Sequence, residues 1–244
     1  MKAVITAGGP IDGEFAAAAD TRLKALAMVR GRTMLARTID ALRAIGVTRI
    51  AVVGNDAIRA ACGESVERVV PDRGSGARNV LGALDAWPED GGPLLYLTCD
   101  MPYLDAGSLR DFVDRTPREA LAMPLCEYAA FARRYPGAEG FGISLSGERV
   151  VNGGAFHIPA GGSARIRSFA TQLFDARKAP WRMATIAGPL LLLRFLIGRV
   201  TIAQLEARAR TLLDMPVLAI RNCAPELGFD ADTIADYCYA CGHE

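Results

Sequence analysis

Short apolar runs alternate with amphipathic stretches along the first half of the chain. Residues 2–6 are a β-branched and apolar run, which predicts a buried strand. A loop rich in glycine and alanine follows over 7–23. Apolar residues at Met34, Leu35, Ile39, Leu42 and Ile45 recur at helical spacing and stop at Gly46, a helix with a glycine terminator. Residues 48–53 and 66–70 read as strands, 76–87 as a helix, and 94–98 as a fourth strand. That strand runs straight into Cys99-Asp100-Met101-Pro102, and residues 109–113 fall in the helix after it. Continuous apolar strands separated by helices predict a parallel sheet covered on both faces.

The rhythm changes from about Glu119. Residues 140–143 and 154–158 read as short strands around a loop holding Gly147, Gly153 and Gly154. Residues 163–213 look almost wholly helical, broken at Pro180 and at Gly188-Pro189. A late strand follows at 217–220, and Phe229-Asp230-Ala231-Asp232-Thr233 leads into a last helix capped by Thr233 or Asp232. Neither an internal repeat nor a low-complexity linker interrupts the pattern. The expectation is one α/β domain over 1–244, a Rossmann-like three-layer arrangement around a mixed, mainly parallel sheet, with a helical insertion over about 163–213.

Composition narrows the function classes. The chain of 244 residues is 51% hydrophobic with a net charge of +1, which argues against disorder and leaves no general nucleic-acid footprint. No apolar run is long enough to span a bilayer, and the N-terminus lacks a signal-peptide pattern. Six scattered cysteines do not form a disulfide framework, so the expected compartment is a reducing cytoplasm. The pair Cys238 and Cys241, with His243 nearby, lacks the second ligand pair of a structural zinc site and reads as spare thiols on a terminal helix. One local charge imbalance stands out. Residues 165–221 carry ten basic side chains against three acidic ones, suited to a phosphorylated acceptor or to anionic lipid. Arg133-Arg134-Tyr135 reads as a solvated turn with an acceptor contact as the alternative.

Three places hold candidate chemistry. The loop Ala7-Gly8-Gly9-Pro10 follows a strand directly, and consecutive glycine amides can cradle a phosphate. It matches neither the P-loop nor the dinucleotide fingerprint, and an ordinary turn is the bland reading. Only three of the 28 basic residues are lysines, so Lys24, just past this loop, invites a specific reason. An ammonium meets phosphate as a point charge; otherwise Lys24 is a solvated surface residue. Asp100, after the fourth strand, sits where open α/β sheets bind ligands and offers a hard oxygen for Mg²⁺, with a turn cap as the alternative. Asp230 and Asp232 stand two apart in an extended stretch and point to one side, unless they simply cap the last helix.

Taken together, these stretches resemble the nucleotidyltransferase-like family that includes molybdenum-cofactor guanylyltransferase and the sugar-phosphate and alditol-phosphate cytidylyltransferases. Residues 4–9, Lys24-Ala25-Leu26, Gly31-Arg32-Thr33-Met34-Leu35, Cys99-Asp100-Met101-Pro102 and Phe229-Asp230-Ala231-Asp232-Thr233 carry the resemblance. It implies a Mg²⁺-dependent transfer of a nucleoside monophosphate from a nucleoside triphosphate to a phosphorylated acceptor, a lipid phosphate included, with release of pyrophosphate. In that scheme Ala7, Gly8, Gly9, Lys24, Gly74, Gly76 and Asn79 hold the nucleotide, and Asn152, Gly153 and Gly154 face the acceptor. Lys24 neutralises the triphosphate, while Asp100 and Asp232 hold the metal. The chain departs from the family pattern in three places: Arg22 is the only arginine of the first loop, Thr33 replaces a usual proline, and Ala155 stands where a polar asparagine is expected. Two competing readings are a glycosyltransferase using Asp230-Ala231-Asp232 as its metal motif, and a catalytically silent nucleotide-binding protein.

Overall fold

The computed structural model describes residues 1–138, 140, 142–176, 186 and 188–243. At its centre, β1 (Lys2–Thr6) pairs in parallel with β4 (Arg49–Gly54) on one side and β6 (Leu94–Thr98) on the other. β5 (Arg68–Pro71) extends the sheet beyond β4, again in parallel. Past β6 the sheet continues through β10 (Ala155–Ile158), β7 (Leu121–Glu127), β9 (Glu148–Asn152) and β8 (Ile143–Leu145), all antiparallel to their neighbours. β11 (Val217–Ile220) pairs with β7 in parallel. The nine strands form one mixed sheet, with most paired residues in parallel ladders, as the alternating first half predicts. A separate two-strand hairpin joins β2 (Met28–Val29) to β3 (Arg32–Thr33).

Alternation along β1 produces the three layers. Ala3 and Ile5 pack with Leu35, Ile39 and Leu42 of α2 (Met34–Ala44), Ile58 of α3 (Asp56–Cys62) and Phe112 of α5 (Ala106–Arg115). Val4 faces the other way, onto Ala83 and Leu84 of α4 (Gly76–Leu84) and a cluster that includes Ile166 of α7 (Gly162–Ala176). Polar side chains fix several helix starts. Thr33, Asn55 and Ser75 accept from Ala36, Ile58 and Arg78 N–H at 3.1, 3.2 and 3.4 Å. α4 ends at Leu84, three residues short of the expected limit.

Several elements differ from expectation. The loop over 7–23 contains α1 (Gly13–Ala19): its alanines are strong helix formers, and flanking glycines disguise them. β7 went unread because Pro124 interrupts it. Pro124 lies where β7 changes antiparallel partner, from β10 at Ala122 to β9 at Leu125, so its missing N–H breaks little. The strand expected over 140–143 is β8, shifted toward the C-terminus; part of the expected span lies outside the described residues. Arg133-Arg134-Tyr135 closes α6 (Tyr128–Arg134) and is not a solvated turn. Tyr135 is buried against Tyr103, Phe131 and Phe229, and Arg134 pairs with Glu226 at 2.9 Å.

Among the described residues the helical C-terminal segment includes α7, α8 (Pro189–Leu196) and α9 (Ile202–Leu213), with α8 starting at the expected Gly188-Pro189 break. The expected break at Pro180 lies outside the described residues, as do the basic side chains of 177, 178 and 182. α10 (Ile234–Gly242) closes the chain. All six cysteines are free, and only Cys238 and Cys241, on α10, are exposed.

Candidate active site

The four parallel strands β1, β4, β5 and β6 discharge into one cleft. β1 ends at Gly8 and Gly9, β4 at Asn55, β5 at Asp72 and β6 at Asp100. The cleft has a volume of about 490 Å³, and its wall also includes Lys24, Gly74, Gly76, Asn79 and Tyr96. This is the crevice outside the carboxyl ends of an open sheet where ligands bind.

The first loop is built to leave amides free. Lys24 N–H donates to Gly9 O at 3.0 Å and Ile11 N–H to Arg22 O at 3.0 Å, pinning the two limbs together. The N–H groups of Gly8 and Gly9 have no hydrogen-bond partner among the described residues, as an anion cradle requires. Ala7 is fully buried and its N–H donates to Val53 O at 2.9 Å; it shapes the loop without lining the cleft. A Cβ on Gly8 would come within 2.7 Å of Asn79 Nδ2 and 2.9 Å of Asp72 Oδ2, so only glycine lets the two loops approach this closely.

Asn79 is buried and acts as a clasp. Its Oδ1 accepts from Arg73 N–H at 2.8 Å and its Nδ2 donates to Asp72 Oδ1 at 2.9 Å. Asp72 Oδ1 also accepts from Gly74 N–H at 2.8 Å. Gly74 and Gly76 are thereby held at the cleft wall. Sequence reasoning singled out Gly74, Gly76 and Asn79 but missed Asp72, Asn55 and Tyr96. The position of Asp72 and Asn55 just after parallel strands is the same signal that found Asp100.

Lys24, Asp100 and Asp232 meet. Lys24 Nζ lies 3.2 Å from Asp100 Oδ2 and 2.5 Å from Asp232 Oδ1, although 208 positions separate Lys24 from Asp232. A backbone bond locks this convergence: Ala231 N–H donates to Asp100 O at 2.9 Å. Burial works against the ammonium, but the two carboxylates outweigh it and hold the Lys24 pKa above the ordinary lysine value. Asp230 behaves in the opposite way. Burial, reinforced by repulsion from Asp100 and Asp232, pushes its carboxyl well above the usual range. Below the cleft, Tyr96 donates to or accepts from Thr6 Oγ1 at 3.0 Å, and burial pushes its phenol up to about 12.

A second cavity of about 390 Å³ opens on the other side of this cluster. Asp230 and Asp232 line it, with Phe131, Asn152, Phe229 and Asp236. Thr233 caps α10 by accepting from Asp236 N–H at 3.2 Å, while Asp236 accepts from Thr233 N–H at 2.9 Å. This capping box leaves Asp232 out of the cap and turned toward Lys24. Asn152 lines the cavity; Gly153 and Gly154 do not. Their N–H groups donate to Pro124 O and Leu227 O at 3.0 and 3.1 Å, and a Cβ on either would strike a neighbour: Leu227 O for Gly153, Thr98 Oγ1 for Gly154. His157 is buried, with its Nδ1 at 2.8 Å from Ala120 O, and stands outside both cavities.

Asp100 Oδ1 and Asp230 Oδ1 are buried without a hydrogen-bond partner among the described residues, so both oxygens are free to meet a cation. Both are hard donors suited to Mg²⁺ or Mn²⁺. Among the described residues no group of three or more acidic, histidine or cysteine side chains is already arranged around a metal position, so ligand oxygens and water would complete the shell.

Comparison with known proteins places the chain in a family. No curated protein matches the chain. A solved structure described as a hypothetical transferase from Thermus thermophilus is 28% identical with a TM-score of 0.83, covering 97% of this chain and 100% of the other. Two more distant structures share the fold. A Mycobacterium tuberculosis protein in complex with manganese is 19% identical, with a TM-score of 0.54, covering 99% of this chain and 97% of its own. The CTP:phosphocholine cytidylyltransferase of Streptococcus pneumoniae is 12% identical, with a TM-score of 0.55, covering 98% and 97%. Residues 3–227 match the MobA-like NTP transferase domain, and the chain belongs to that nucleotidyltransferase family.

Proposed function

We propose that the protein transfers a nucleoside monophosphate from a nucleoside triphosphate to a phosphorylated acceptor, with a divalent cation, and releases pyrophosphate. The observation that carries this reading is one ammonium, Lys24, held by carboxylates from two cavities that meet at it. The cleft with the glycine loop takes the triphosphate, and the cavity with Asn152 takes the acceptor.

An acceptor phosphate oxygen forms a bond to the α-phosphorus while the bond from that phosphorus to the bridging oxygen of the β-phosphate breaks. Pyrophosphate leaves with the electron pair. A phosphate nucleophile is already ionised, so no general base is needed, and positioning with charge stabilisation supplies the catalysis. The Gly8 and Gly9 amides hold phosphate oxygens. Lys24 stays protonated, because its pKa is held up, and offsets the charge that develops around the α-phosphorus. Asp100 and Asp232 would hold the cation, with Asp230 beside them; Mg²⁺ is the natural choice with phosphate ligands. The cation, when bound, neutralises phosphate charge and polarises the P–O bonds. Lys24 contacts both carboxylates and lines the cleft, so its ammonium would lie beside the triphosphate as well as beside the residues that would hold the cation. The manganese complex of the Mycobacterium tuberculosis relative supports divalent-metal use. The cytidylyltransferase relatives support a phosphorylated acceptor.

The test is incubation with each labelled nucleoside triphosphate, Mg²⁺ and a pool of phosphorylated metabolites. Pyrophosphate release dependent on metal and acceptor is the expected result. Nucleotide binding without turnover, or sugar transfer from a nucleotide sugar, overturns the reading.

A further inference from the structure

The antiparallel half of the sheet is covered by a surface unlike the rest of the described molecule. Leu190, Leu193, Phe195, Leu196 and Ile197, all on or directly after α8, are between 56% and 73% exposed. Among the described residues, only Met1, Met28 and Leu205 are other large apolar side chains exposed to this degree or approaching it. Leu190, Leu193 and Ile197 follow helical spacing i, i+3, i+7 and share one face, with Leu196 beside them. The opposite side is anchored: Leu191 packs on Leu125, Leu145, Val150 and Val200, and Ser146 N–H donates to Val200 O at 2.8 Å. The apolar face therefore points outward from a fixed base. Contiguous exposure on this scale marks an interaction surface.

Charge selects the occupant. Arg194 and Arg199 flank the apolar face, and neither side chain has a partner among the described residues. From residue 188 to 205 the sequence contains Arg194 and Arg199 and no Asp or Glu. A two-fold contact between copies would set this acid-free, basic stretch against itself. Anionic lipid headgroups complement it, and acyl chains accept Leu and Phe side chains at the interface. At eight residues, α8 is far too short to cross a bilayer, and no helix among the described residues is long and apolar enough to do so.

We infer that the α8 surface, from Leu190 to Arg199, docks the protein on an anionic membrane, lying in the headgroup plane. This inference does not depend on the proposed transfer reaction. The test is co-sedimentation of the full chain at low salt with phosphatidylcholine vesicles, with or without phosphatidylglycerol. The wild type is expected to sediment with the anionic vesicles, to stay in solution with pure phosphatidylcholine, and to be released partly by salt. The double variant Leu193→Asp, Leu196→Asp should lose binding by more than about tenfold, and Arg199→Glu by roughly fivefold. Because these positions are exposed, circular dichroism and thermal midpoint should stay at wild-type values. Failure of the wild type to bind anionic vesicles overturns the inference, as does equal binding by wild type and double variant. A wild-type dimer in light scattering that the double variant converts to monomer also overturns it, assigning the face to a second copy.

Discussion

The two halves of the sheet solve different problems. From β5 through β6 every ladder is parallel, β1, β4 and β6 are largely buried while the edge strand β5 is half-buried, and each ends at the same cleft. From β10 to β8 the neighbouring strands run antiparallel, and the second cavity is walled by a helix, a strand and the segment before α10. The parallel half holds its loops with short backbone and amide clasps, Asp72 to Asn79 and Lys24 N–H to Gly9 O. The other half relies on an aromatic cluster of Tyr103, Phe131, Tyr135 and Phe229, the last of which directly precedes Asp230. In the proposed reading the parallel side grips the phosphates and the aromatic side meets the acceptor. Lys24, Asp100 and Asp232 are the seam.

Breaking the seam should have the largest effect. Lys24→Ala is expected to lower pyrophosphate release by about 10³-fold, since a preorganised cation at developing charge is worth roughly that much. Asp100→Asn should do the same with a weakened response to added metal. Both variants should keep the wild-type circular dichroism spectrum; unchanged turnover in either would remove the site assignment.

Phe229→Ala should cost roughly 3 kcal/mol of stability, read from the denaturant midpoint, because it opens a void among four aromatic rings. A smaller loss than Ala gives at an exposed position would show that the aromatic cluster does not hold the acceptor side.

Gly8→Ala and Asn152→Ala sharpen the division of labour. The first pushes a methyl group toward Asn79 and Asp72 and should raise the nucleotide KM about tenfold with little change in the acceptor KM. The second should raise the acceptor KM by several-fold, about one lost hydrogen bond, and leave nucleotide binding alone. Effects that fall on the opposite substrate would reverse the assignment of the two cavities.

The smallest effect concerns the far edge of the parallel half, away from both cavities. Arg49 binds Glu67 at 2.9 Å and Asp90 at 2.7 Å, and Lys2 reaches Asp90 at 3.1 Å. Hydrogen bonds from Arg49 and Trp87 hold Glu67 down from the ordinary 4.5 to about 2. Those from Gly92 N–H and Lys2 hold Asp90 at about 2, from 3.8. Both carboxyls are depressed in the folded state, so their stabilisation is complete above the unfolded pKa values and fades as pH falls toward 2. Glu67→Gln should flatten the acid limb of a plot of stability against pH and leave the neutral region almost unchanged, because the pair is solvent-screened. An identical acid limb in the variant would show that Glu67 contributes no pH-dependent stability.

Much of the parallel half was legible along the chain. Buried strands, helix periodicity and the Gly46 stop come from local apolar pattern, and Asp100 is marked by its place after a strand. The antiparallel half was harder to read. Pro124 hid β7, and the strand over Glu148–Asn152 is too short and mixed to register. Asp72 and Asn55 were overlooked because an aspartate or asparagine after a strand also reads as a turn residue or helix cap, and Asn55 does cap α3.

What the sequence by itself determined is the fold class, the positions of most parallel strands and the residue types of the site, since each depends on patterns within a dozen residues. Tertiary structure alone decided that Asp232 turns away from its helix cap toward Lys24, that Gly153 and Gly154 serve close packing, and that α8 keeps Leu190, Leu193 and Leu196 outside while Leu191 packs inward. Those outcomes depend on which distant surfaces meet, and a pattern read along one chain carries no information about the partner that arrives from across the sheet.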